Sequence, residues 1–72
     1  MVNVESLNRF SANSVIGPKE LKEAGLIGSE KETIKILGAG ELKKVVTIKA
    51  HKVSESAKIK LAAAGAKFEV LA

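Results

Sequence analysis

Hydrophobic residues recur along this chain in two rhythms. One has a period of two: Val2 and Val4, Ile34 and Ile36, then Val46, Ile48 and Ala50, and last Phe68 and Val70. Such alternation puts one row of side chains on one face of a strand. It predicts strands over 2–5, 33–37, 45–53 and 67–71, with the named residues inward and Thr47, Lys49 and His51 on the opposite face. The other rhythm is helical. Leu21 and Ala24 share one side of "GPKELKEAG", and Ala57, Leu61 and Ala64 follow i, i+4, i+7 spacing after Ser54. Ser6 to Phe10 adds one helical turn with Leu7 and Phe10 on one side, and "SANS", residues 11–14, is a polar loop.

End signals agree with these helices. Pro18 suits the first helical position, where its missing N–H leaves nothing unpaired. Glu20 lies in the first turn, where negative charge meets the helix dipole. Gly25 and Gly65 can take the left-handed conformation that closes a helix. Ser54 is placed to cap the second helix by accepting an N–H near Ala57. Leu21-x-x-Ala24-Gly25 recurs as Leu61-x-x-Ala64-Gly65. That echo fits either a repeated supersecondary unit or the ordinary chemistry of a helix ending before a strand. The predicted class is α/β: one small domain over 1–72 with about four short strands and two main helices.

Composition adds limits. The chain is 46% hydrophobic and 28% charged, a globular mixture, and it has no cysteine for disulfides or thiolate metal sites. A core this small yields roughly 3–5 kcal/mol of net stability. No apolar run approaches the ~20 residues that cross a bilayer, and "MVNVESLNRF" has no secretory pattern, so a cytoplasmic chain is expected. Twelve basic residues against eight acidic ones give a net charge of +4, which suits an anionic partner such as nucleic acid. Eleven of the twelve are lysine, with Arg9 alone, and there is no Trp or Tyr on which to stack bases.

Three features compete as sites. In "KILGAGELKK" the glycines 38 and 40 match part of a dinucleotide loop, but Lys43 stands at the third glycine position. A strand follows where a helix is needed, so Gly38 and Gly40 are read as a turn, one of them at positive φ. His51 is the only histidine. It lacks the orienting carboxylate and nucleophile of a catalytic site and the companion ligands of a metal site. It is expected to be exposed and in reach of RNA. Lys35, Lys43, Lys44, Lys49, Lys52 and Lys58 cluster within 35–58, either as a solvated face or as a phosphate-contacting surface. The start of the second helix offers N–H groups to a phosphate, though Ser54 occupies one of them and Glu55 repels an anion.

Residues 35–65, "KILGAGELKKVVTIKAHKVSESAKIKLAAAG", resemble the signature of the bacterial ribosomal large-subunit protein fifteen family. The correspondence runs from Lys35, Ile36, Leu37, Gly38 and Gly40 through Leu42, Val46 and Ile48 to Val53-Ser54-x-x-Ala57, Leu61 and Gly65. "VNVESLNRF" and "GPKELKEAGLI" extend it to essentially the whole chain. The resemblance implies a non-enzymatic domain that binds ribosomal RNA, folded as an irregular strand–strand–helix superhelix. It implies contacts from Lys35, Lys43, Lys44, Lys49, His51, Lys52 and Lys58, with no metal or cofactor. Ribosomal RNA is the expected partner, and neighbouring ribosomal proteins are further candidates. The chain is expected to be a monomer in isolation, without membrane attachment.

Family members carry a long basic, glycine-rich N-terminal arm, whereas this chain starts with Met at the globular domain. The expectation is therefore an excised C-terminal domain, or a designed or reconstructed version of it. Ile59 and Ala62 stand where the family tends to have charged side chains, and Ile59 lies off the core stripe. Two other readings remain open: a folding module without retained binding activity, and a small scaffold that self-associates through Ile59 and an uncovered sheet edge.

Overall fold

A computed structural model describes residues 1–71. Six short strands, each parallel to its neighbours, alternate between two sheets as the chain proceeds. The first sheet holds β1 (Val2–Asn3), β3 (Lys35–Leu37) and β5 (Lys52–Val53). The second holds β2 (Val15–Ile16), β4 (Thr47–Ala50) and β6 (Lys67–Val70). Each coil of the chain contributes one strand to each sheet, so three coils stack into a short superhelix.

The core lies between the two sheets. Register aligns Val2 with Ile36 and Ile36 with Val53 in one, and Ile16 with Ile48 and Ile48 with Phe68 in the other. Val4, Leu7, Ile16, Leu21, Ile34, Ile36, Ile48, Ala50 and Ala57 are fully buried, and Leu61 nearly so. The inward rows expected from the period-two rhythm are therefore real over Ile34 and Ile36 and over Val46, Ile48 and Ala50.

Parallel strands need crossovers, and their thickness is limited. Strands in a sheet repeat every ~4.8 Å, but a helix with its side chains is about 10 Å across. Three successive crossovers on one side therefore cannot all be helical. A 3₁₀ helix (Val4–Arg9) follows β1, α2 (Glu55–Ala63) follows β5, and these two pack on each other. The crossover between them, after β3, is an irregular segment containing Gly38 and Gly40. A Cβ on Gly38 meets the Ser56 carbonyl carbon of α2 at 2.7 Å. A Cβ on Gly40, whose φ is +78°, meets Glu5 Cβ of the 3₁₀ helix at 2.5 Å. Glycine stands here because two helices press on the segment from either side.

α1 (Pro18–Glu23) and α2 end alike. Gly25 and Gly65 have φ of +76° and +74°. Leu26 N–H bonds the Leu21 carbonyl at 2.9 Å and Ala66 N–H bonds that of Leu61 at 2.8 Å. Gly25 N–H and Gly65 N–H bond Lys22 and Ala62 at 2.9 and 3.1 Å. These are paired Schellman caps on buried leucines. The Leu-x-x-Ala-Gly echo is thus a repeated helix ending and not a repeated unit: α1 leads from the second sheet to the first, α2 from the first to the second. Ser54 caps α2 as expected, its Oγ accepting Ala57 N–H at 3.2 Å.

Strands are shorter and more numerous than the rhythm suggested. The run 45–53 divides at His51, because the Ile34 carbonyl accepts both His51 N–H (2.9 Å) and Lys52 N–H (3.1 Å) and bends the chain. β4 and β5 thereby enter different sheets. The strand expected over 2–5 stops at Asn3, where the 3₁₀ helix begins. Val70, expected inward, is 67% exposed, since β6 is an outer strand with nothing stacked beyond it.

The two kinds of glycine separate in stability. Gly25→Ala meets no atom within 4 Å and is opposed only by its φ, at a cost of about 1–2 kcal/mol. Gly40→Ala adds the collision with Glu5 and costs more. Urea midpoints of the two variants measure the difference.

Candidate nucleic-acid interface

Lys35 and Lys52 are the first residues of β3 and β5 and are Cα partners in the sheet. In-register residues on adjacent parallel strands project from the same face, ~4.8 Å apart at the backbone. Their neighbours Ile36 and Val53 point into the core, so both lysines project to solvent, and both are exposed. Neither forms an ion pair among the described residues. Like charges set side by side on a sheet repel, and a shared anion relieves that repulsion.

Lys43 and Lys44 lie on the glycine segment, Lys43 exposed and Lys44 half-buried. The Lys43 backbone N–H donates to Asn8 Oδ1 at 2.7 Å, and Asn8 Nδ2 donates to the Glu41 carbonyl at 2.8 Å. Between these two bonds Leu42 is buried. The segment is pinned while the Lys43 side chain stays in solvent.

The remaining expected contacts are differently placed. Lys49 stands on β4 in the other sheet, paired with Glu69 at 3.9 Å; at 41% and 63% side-chain exposure this is a weak, solvent-screened pair. Lys58 pairs with Glu55 at 3.3 Å along α2. His51 is half-buried, not exposed as expected. Its Nδ1 accepts Ile34 N–H at 2.9 Å, so the ring carries its proton on Nε2. The imidazole and the His51 main chain together satisfy both backbone polar groups of Ile34 at the corner between the sheets. Sequence spacing hid this because Ile34 lies 17 residues away.

Other polar residues are committed to the frame. Arg9 Nη1 donates to the Ala24 carbonyl at 2.7 Å, closing the C-terminal end of α1. Glu20 Oε1 accepts Gly17 N–H at 2.8 Å. That bond, then its own backbone N–H and the charges of Lys19 and Lys49, hold the Glu20 carboxyl below its ordinary pKa. Among the described residues no cluster of three or more metal-ligating side chains forms. No helix among them is long and apolar enough to cross a membrane.

Residues 1–69 match the family described as ribosomal proteins 50S-L15 and 50S-L18e together with their 60S counterpart. The chain belongs to this family. It is 45% identical over 71 residues to the large ribosomal subunit protein uL15 of Coprothermobacter proteolyticus, covering 99% of this chain and 48% of that protein. The chain thus spans about half the length of the curated relative it matches.

Within this L15-type domain, two residues of the site went unnoticed in the sequence. Lys60 on α2 donates to the Gly40 carbonyl and lies 3.7 Å from the Glu41 carboxylate. Asn8 reaches Glu41 and Lys43 across 33 and 35 residues. Neither has a local signal: Lys60 reads as one more solvated helix lysine, and Asn8 as a polar residue in a single helical turn.

Two outcomes follow from these bonds. His51→Phe leaves the Ile34 N–H unpaired and lowers stability by about 1–3 kcal/mol; His51→Asn, with an acceptor oxygen near the Nδ1 position, retains most of it in urea denaturation. Glu20 is lowered in the folded state, so its contribution is fully present above the ordinary carboxylate range and is lost as pH falls through the folded value. Glu20→Gln therefore lowers the melting temperature at pH 7 and converges on the parent in acid, as thermal scans across pH will show.

Proposed function

We propose that the chain is a structural ribosomal-RNA-binding domain of the large ribosomal subunit, working in the cytoplasm without catalysis. Family membership supports the ribosomal role. The observation that carries RNA binding is the in-register pair Lys35 and Lys52, two exposed lysines on adjacent strands with no acidic partner among the described residues. Lys43, on its pinned segment, supplies a further cation. Lys44 stands beside it. Lys49 and Lys58 contribute less, since each has a carboxylate beside it. His51 acts mainly by holding the strand that bears Lys52.

Chemically, this surface suits the backbone of folded RNA. Lysine ammonium groups neutralise phosphates and release condensed counterions. A-form helices are recognised chiefly by shape and by phosphate and 2′-hydroxyl contacts. Nothing in the mechanism needs an aromatic stack, and the chain has only two Phe, of which Phe10 and Phe68 are both partly buried against the core.

Affinity for a transcript of large-subunit rRNA should fall steeply with salt. In Lys35→Gln plus Lys52→Gln the slope of log affinity against log salt should flatten by about two. Salt-independent affinity, or no binding at low salt, overturns the proposal. An unchanged slope in the double variant moves the contact away from this sheet.

A further inference from the structure

The segment that bears Lys43 belongs to neither sheet, and its two glycines leave it little intrinsic stiffness. Its order comes from groups reaching in from both sides. From the 3₁₀ helix, Glu5 N–H approaches the Ala39 carbonyl at 3.4 Å. From the same helix the Asn8 carboxamide bonds the Glu41 carbonyl and the Lys43 N–H, as an adjacent peptide group would. From α2, Lys60 takes the Gly40 carbonyl and faces the Glu41 carboxylate. Only an amide side chain offers both the donor and the acceptor that Asn8 uses; aspartate lacks the donor.

We infer that Asn8 and Lys60 are positioning residues for RNA binding: they clasp the glycine segment so that Lys43 meets phosphate from a preordered backbone. This rests on the RNA-binding reading above and adds to it two residues that do not themselves touch RNA. Two physical effects combine. A segment already ordered loses less conformational freedom on binding. Lys60 also occupies Glu41, a carboxylate two residues from Lys43 that otherwise competes with phosphate for the Lys43 ammonium and repels the RNA. Lys60 is correspondingly withdrawn from the contact set, its ammonium facing a carbonyl and a carboxylate within the fold.

Contact and positioning differ in one measurable respect. A residue that neutralises a phosphate changes the salt dependence of binding; a residue that only orders the contact changes affinity at constant slope. With a large-subunit rRNA transcript as probe, Lys43→Gln should weaken binding and flatten the slope by about one. Asn8→Ala and Lys60→Met should each weaken binding by about tenfold with the slope of the parent, and Lys60→Arg should restore it. Amide hydrogen exchange of the free chain supplies the second readout. In Asn8→Ala the Lys43 amide should lose protection while the Ile48 amide, in the core strand β4, keeps it.

If Asn8→Ala disturbs the core amides, Lys60→Met with its Lys60→Arg rescue carries the test, since the stem of the side chain is retained. Parent-like affinity in a variant whose Lys43 amide has lost protection overturns the inference. So does unchanged protection of that amide in Asn8→Ala. A flattened slope in Lys60→Met makes Lys60 a contact and overturns its positioning role. Absence of binding by the parent at low salt instead overturns the RNA reading itself, and the exchange data on the clasp stand apart from it.

Discussion

A mismatch of two lengths governs this small fold. Parallel strands stack every ~4.8 Å, while packed helices need 8–10 Å between their axes. A superhelix that adds one strand per coil can therefore place a helix in the crossover only on every second coil. Here the 3₁₀ helix and α2 take the outer coils and touch each other across the middle one. What lies between must be thin, and Gly38 and Gly40 make it so. The glycines that look like a nucleotide loop are the answer to a spacing problem.

The binding surface inherits its order from the same stacking. Because β3 and β5 are parallel and in register, Lys35 and Lys52 are brought together without either needing a partner in sequence. Other cations go elsewhere: Arg9 closes α1, Lys60 holds the middle crossover, and Lys49 and Lys58 sit beside carboxylates. A net charge of +4 therefore describes the surface poorly. What matters is which lysines the frame leaves without an internal use.

The sequence was legible where the physics is local. Pro18, Gly25, Ser54 and Gly65 mark helix ends by their own backbone or side-chain chemistry, and each sits where it was expected. Alternation revealed the inward rows of β3 and β4. It failed for β2, whose two residues are too few to show a rhythm, and for Val70, whose inward parity means little on an outer strand. It failed again at His51, where continuous alternation hides a bend made by the distant Ile34 carbonyl. Asn8 and Lys60 belong to the same class: their partners come from another coil, so no window along the chain contains both ends of the bond.

The middle coil has one further property. It supplies the central strand of both sheets, β3 in one and β4 in the other, so the first and third coils are paired to it and not to each other. The loops 10–14 and 26–34 run outside this sandwich and have room to lengthen. The crossover 38–43 has none, being enclosed by a helix on each side. Among related chains, insertions and deletions are therefore expected to avoid this stretch, even where side chains drift. The most glycine-rich and seemingly most pliable part of the chain is the one whose length cannot vary.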